Sequence, residues 1–197
     1  MTSIHEPPGG ARAAVILTHG AGANADTPLL RAVANELARL GCIAVRYTLP
    51  FRLARPAGPP RAGEAARDRE GLRAQAEEAR RRWNVPVCLG GHSYGGRQSS
   101  LLAAAEPDLA AGLLLLSYPL HPPGKPDQPR TAHFPDLKCP CTFAHGTRDA
   151  FGSIAEMEAA LRLIPGRVRL AVVEGAGHDL KGGRDVTFCE GFVASLG

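Results

Sequence analysis

Residues 88–100 read CLGGHSYGGRQSS, an apolar strand end passing through Gly91-His92-Ser93-Tyr94-Gly95 into small, helix-compatible residues. The pattern G-x-S-x-G carries meaning only where a strand ends and a helix begins. Here "VPVCLG" (85–90) supplies the strand, and a small-residue helix follows at about 95–106. A chain that turns from strand to helix within one residue forces that residue into strained geometry, and glycines two positions to either side let neighbouring backbone pass closely. The Ser93 hydroxyl is then lifted above a sheet edge at a helix N-terminus, with the Tyr94 N–H aimed at the oxygen of a bound carbonyl. The competing reading is a glycine-rich turn with an incidental serine.

Outward from this turn, apolar strands alternate with amphipathic helices. The strands are "AAVILT" (13–18), "CIAVRYTL" from Cys42, 85–90, "LAAGLLLLSY" (109–118), "CTFAHG" (141–146) and "VRLAVVE" (168–174). Thr27-Pro28 offers an N-cap and a first-position proline, Leu29, Leu30, Val33, Leu37 and Leu40 follow at helical spacing, and Gly41 stops the helix. Ser153 and Glu156 form a capping box ahead of Ile154, Met157, Leu161 and Ile164, and a last helix is expected over about Asp185–Leu196. Such alternation predicts an α/β fold, a mostly parallel sheet of about six strands covered by helices on both faces. Residues 119–136 hold too many prolines for a helix or inner strand, and a loop of that length in a compact domain is usually functional.

The stretch VILTHGAGANA (15–25) admits two readings. Gly20-x-Gly22-x-x-Ala25 after a strand matches a dinucleotide-binding turn. His19-Gly20 followed by small residues instead suits a loop that lends a backbone N–H, from Ala21 or Gly22, to an oxyanion hole. In a dinucleotide turn the helix begins inside the glycine motif, whereas here it begins at Thr27-Pro28, and the next strand carries Arg46 and Tyr47 where a ribose-binding acid would stand. Arg46 keeps a 2′-phosphate reading alive, but a cofactor site leaves Ser93 and its partners unexplained. The expectation is therefore an oxyanion loop, no cofactor, and a His19 hydrogen-bonded within the loop.

A serine hydroxyl needs a base, and the base an orienting acid. Asp149 follows the strand "CTFAHG" in "HGTRD" and His178 follows the last strand in "EGAGHD". Both stand at strand C-terminal ends, the edge where open parallel sheets bind ligands. Taken singly, Asp149 reads as a helix cap and His178 as a surface histidine; together with Ser93 they read as a triad.

With these residues in view, the chain resembles the α/β-hydrolase superfamily over nearly its whole length. "LTHGAGAN", "GGHSYGGR", "SYPLHPPGKP" and "HGTRD" are similar to a narrower group of small, lidless predicted hydrolases, dienelactone-hydrolase-like and testis-expressed-protein-like, with serine rather than cysteine as nucleophile. The resemblance implies an acyl-hydrolase site at Ser93, Asp149 and His178, beside the oxyanion donors Ala21 and Tyr94 read from the loop and the elbow. It implies no particular substrate. At 197 residues the chain reads as a single domain over 1–197, too short for a cap domain, so an open site with weak selection of substrate size is expected, and the triad chemistry suits a small ester or thioester. The rival class is a non-catalytic binding or scaffold module on the same fold.

Composition agrees with an ordinary globular chain of 197 residues, 44% hydrophobic and 21% charged. Apolar runs are too short for a membrane span and the first residues lack a signal-peptide pattern, so a cytoplasmic protein with no membrane partner is expected. Only three of the 23 basic residues are lysines, and nine arginines lie between Arg52 and Arg82. Glu64, Asp68, Glu70, Glu77 and Glu78 are interleaved with them, which reads as a solvated helix face rather than a nucleic-acid surface. Five cysteines in mostly apolar segments read as reduced thiols, and Cys139-Pro-Cys141 matches no standard metal spacing. Flanking the expected site, Arg46, Arg52, Tyr118, His121 and His133 are candidate substrate contacts, the arginines suited to a carboxylate or phosphate.

Overall fold

A computed structural model describes residues 2–197. Seven strands form one sheet, ordered β1-β3-β2-β4-β5-β6-β7. They are β1 (Thr2–His5), β2 (Ala13–Thr18), β3 (Cys42–Tyr47), β4 (Val87–His92), β5 (Leu113–Leu116), β6 (Cys141–Gly146) and β7 (Val168–Val173). All neighbours pair in parallel except β1, which runs antiparallel to β3. The sixfold pattern expected from sequence therefore gains an edge strand. Its four residues alternate between exposed and half-buried and carry no apolar run.

Alternating side chains of the buried strands feed two cores. Ala13, Val15 and Leu17 of β2 join one face, where α1 (Pro28–Arg39) and α6 (Phe188–Ala194) pack through Leu30, Val33, Leu37, Phe188 and Phe192. Ala14 and Ile16 join the other, where α3 (Glu64–Trp83), α4 (Tyr94–Ala105) and α5 (Ile154–Leu161) pack through Leu72, Leu102 and Met157. Thr27 Oγ1 accepts from Leu30 N as an N-cap, Gly41 ends the first helical segment at φ 84°, and the Ser153–Glu156 capping box forms. A short helix α2 (Pro50–Ala54) begins where a continued strand and loop are expected, and its Phe51 and Arg52 are buried. No cap domain interrupts these elements, and no helix of the described residues is long and apolar enough to cross a membrane.

The charged helix departs from a purely solvated face. Asp68 is fully buried, on a stripe continued by Leu72, Ala76 and Ala79. On its outer side the interleaved charges pair as Arg81 on Glu78 at 2.9 Å and Arg82 on Glu6 at 3.8 Å.

Sheet order sets the position of the cleft. From β2 the chain moves outward to β3, then returns to place β4 on the opposite side of β2. The loops leaving β2 and β4 diverge at this reversal, where open parallel sheets form a crevice beyond their C-terminal ends.

Candidate active site

Ser93 stands between β4 and α4 with φ 51° and ψ −115°, a conformation that costs about 1–3 kcal/mol in a non-glycine residue. The turn is held from three sides. Ser93 N donates to Leu116 O (2.8 Å), Gly95 N to His19 O (3.1 Å) and Arg97 N to Ser93 O (2.9 Å). A Cβ on Gly91 or Gly95 would strike the Thr18 main chain or hydroxyl, and Gly91 adopts φ 147°, so both motif glycines are required by close approach to β2.

His178 Nε2 lies 2.8 Å from Ser93 Oγ, and His178 Nδ1 lies 2.8 and 3.0 Å from the two Asp149 carboxylate oxygens. With Nδ1–H donating to the carboxylate, Nε2 is left to accept the serine proton. The β6 and β7 loops that carry these residues are laced together by Arg148 N to Ala176 O (2.8 Å) and Gly175 N to Thr147 Oγ1 (2.9 Å). The Asp149 side chain is fully buried. Burial alone would raise its pKa, but hydrogen bonds from His178 and the Phe151 N–H and the nearby His178 and His145 outweigh it. The carboxyl stays below its ordinary range.

Two features escape sequence reasoning. His92, inside the serine motif, donates from Nε2 to His178 O (2.7 Å), tying the elbow to the histidine's main chain. Phe151 stacks on the His178 ring at 4.3 Å. Neither is signalled by spacing, because both depend on loops that meet only in the folded sheet.

The loop after β2 is braced twice. His19, fully buried, donates from Nδ1 to Gly20 O (2.9 Å) and accepts from Leu49 N at Nε2 (3.1 Å), as its expected role within the loop requires. Gly20 O also accepts from Ala23 N (3.1 Å), so in a trans peptide the Ala21 N–H points the opposite way. Arg52 donates to Ala21 O and Ala23 O, both at 2.8 Å, and to Gly58 O at 2.9 Å. Ala21 and Tyr94 line the cleft beside Ser93, and as the first residue of α4 Tyr94 has no intrahelical acceptor for its N–H.

The side chain of Tyr94 leaves the cleft for the interior. Its hydroxyl donates to Asp68 Oδ2 (2.7 Å), while Phe51 N donates to Asp68 Oδ1 (3.0 Å). Burial raises the Asp68 pKa, and burial followed by the Asp68 contact raises that of Tyr94. Removing the carboxylate strands two buried donors, so Asp68→Ala is expected to destabilise the fold by roughly 2–4 kcal/mol. Urea unfolding of variant and wild type checks this; a loss below about 0.5 kcal/mol contradicts the bracing role.

The candidate substrate contacts fare unevenly. Arg46 donates to Ala25 O (2.7 Å), Asp26 (2.8 Å) and His5 (3.0 Å), so its guanidinium is occupied in fastening β1 and the β2 loop. Arg52 is likewise spent on carbonyls, a brace rather than an anion contact. Tyr118 is fully buried and donates to Arg130 O (2.6 Å), which withdraws it from any ligand. His121 is buried beside Pro122 O and Glu156 in a separate depression that also includes Leu120 and Ala160. His133 points to Ser100 (2.8 Å). Gly22 is exposed, with open space around its Cα. The cleft of about 300 Å³ around Ser93 is lined instead by Ala21, Tyr94, Arg97, Pro119, Arg130 and Phe151.

Comparison with known proteins bears on the fold that carries these residues. An alpha-beta serine hydrolase homologue from Coxiella burnetii superposes with a TM-score of 0.75 at 21% identity, covering 100% of this chain and 91% of that one. A lidless a/b serine hydrolase from Xanthomonas campestris gives 0.72 at 19% identity, over 99% and 85%. A dienelactone hydrolase from Anabaena variabilis gives 0.71 at 21%, over 98% and 87%. At these identities the likeness is one of fold. A family model described as an alpha/beta hydrolase domain matches residues 11–187, and the chain accordingly belongs to the alpha/beta hydrolase family.

Proposed function

We propose that the chain hydrolyses a carboxylic ester or thioester through an acyl-enzyme on Ser93. The observation that carries this reading is the unbroken relay from Ser93 Oγ through His178 to Asp149, each link at 2.8 Å. His178 Nε2 takes the hydroxyl proton as Ser93 Oγ attacks the carbonyl carbon. The electron pair moves onto the carbonyl oxygen, opposite the N–H groups of Ala21 and Tyr94. As the tetrahedral species collapses, the bond to the leaving alcohol or thiol breaks and His178 returns the proton to it. A water then passes a proton to His178 and attacks the acyl carbon, releasing the acid and restoring Ser93. Asp149 holds the imidazole in its productive tautomer throughout, and Phe151 keeps the ring from swinging out.

An activated serine reacts with a fluorophosphonate, whereas an ordinary hydroxyl does not. Stoichiometric labelling of the wild type, with the added mass mapped to Ser93 and absent from Ser93→Ala, is the expected result. A folded wild type that fails to label overturns the hydrolase reading in favour of a binding module on the same fold.

A further inference from the structure

We infer that the substrate carries an anion, a carboxylate or phosphate, received by Arg97 and Arg130 on the wall of the Ser93 cleft. The inference rests on the hydrolase reading and adds to it the class of molecule the site takes. Arg97 stands in the first turn of α4, four residues after Ser93, and lines the same cleft as the serine. Arg130 arrives from the proline-rich loop, and its main chain is clamped at both polar atoms. Its N–H donates to Leu120 O (2.7 Å) and its carbonyl accepts from the Tyr118 hydroxyl.

The two guanidinium groups lack a countercharge. None of the ion pairs among the described residues includes Arg97 or Arg130, and no acidic residue lines the cleft. Arg97 Nε is buried without a hydrogen-bond partner, and Arg130 Nη1 makes one long contact, 3.3 Å, with Pro119 O. Burial, then the adjacent Arg97 charge, pull the Arg130 pKa down, the signature of two cations facing one space. His133 behind them does not relieve this. Burial and Arg97 push its pKa down to about 4, and it is tied to Ser100, whose hydroxyl donates to Arg97 O. Both side chains are half-buried, and charges drawn partly out of water are ordinarily paired, while planar guanidinium donors match carboxylate and phosphate oxygens. The partner missing from this wall is thus best supplied by the substrate.

Calorimetric binding to Ser93→Ala, in which bound esters survive, tests this with three p-nitrophenyl esters of similar length: the neutral valerate, the glutarate monoester and the 4-phosphonobutyrate. An anionic ester is expected to bind at least ten-fold more tightly than the valerate, and added salt should erode the difference. The preference should shrink by at least ten-fold in Ser93→Ala/Arg97→Gln and, independently, in Ser93→Ala/Arg130→Gln, each checked for an unchanged thermal midpoint. Whichever anionic ester binds more tightly distinguishes carboxylate from phosphate. Equal affinity for all three esters, or a preference that survives both arginine changes, overturns the inference. Fluorophosphonate labelling of wild-type Ser93 reports separately on the hydrolase reading, so the two failures are distinguishable.

Discussion

Replacing His178 with alanine is expected to lower kcat/KM on an activated ester by about four to six orders of magnitude, and Ser93→Ala by a similar factor. Each residue is useless without the other, because the serine needs a base 2.8 Å away and, without the serine, no acyl-enzyme forms for that base to work on. The double variant should therefore be no worse than either single one. Asp149→Asn should cost less, roughly three to four orders of magnitude, since the imidazole then rests in the wrong tautomer while the remaining donors persist. Steady-state and burst kinetics on the wild type and these variants check the set. A His178→Ala enzyme within ten-fold of wild type would show that the relay does not carry the reaction.

Acid is expected to loosen the fold in a window set by His19. The ring is fully buried and used at both nitrogens, so protonation at Nε2 would oppose a donor to the Leu49 N–H. Burial dominates, and with the Arg52 and His92 charges outweighs the Gly20 contact, taking the pKa from 6.5 to about 4. The unfolded chain thus accepts a proton near pH 6.5 that the folded chain refuses until about pH 4. The unfolded state binds more protons across that interval, and stability falls as pH drops. The His19 contribution to that fall is ~3 kcal/mol. His133, also pushed down to about 4, acts with the same sign. Asp149, held low, contributes stability that is lost only as pH falls through its own depressed pKa. Urea unfolding at intervals from pH 7.5 to 4 should show His19→Gln less stable at neutral pH yet flatter in profile. Parallel profiles for variant and wild type would contradict the assignment.

Much of the architecture is written in local pattern. The Thr27-Pro28 start, the Ser153–Glu156 box and the apolar strands each depend on neighbours within a few residues, and so does the elbow with its glycines. The site residues are legible to the extent that they follow strands. What periodicity misses is set by contacts across the chain. β1 is read from its pairing with β3 rather than from any apolar run, and the brace made by Arg52 exists only because α2 turns it back onto the β2 loop. The buried Asp68 did leave a trace, since it continues the spacing of Leu72, Ala76 and Ala79. Its acidic neighbours mask it. Arg97 and Arg130 are ordinary in sequence and become notable only where acids are absent around them.

The clamp at the neck of the loop bearing Arg130 has a bearing on how such a protein can grow. Tyr118 and Leu120 grip the two polar main-chain atoms of Arg130. Between these ends, Pro123–Pro129 are all exposed and held only by two internal turns. Lengthening that stretch costs chain entropy that rises by only about 0.6 kcal/mol per doubling, and the arginine stays in register. The fold thus keeps a socket beside its cleft, where a lobe gained by insertion would roof the site without re-engineering the floor.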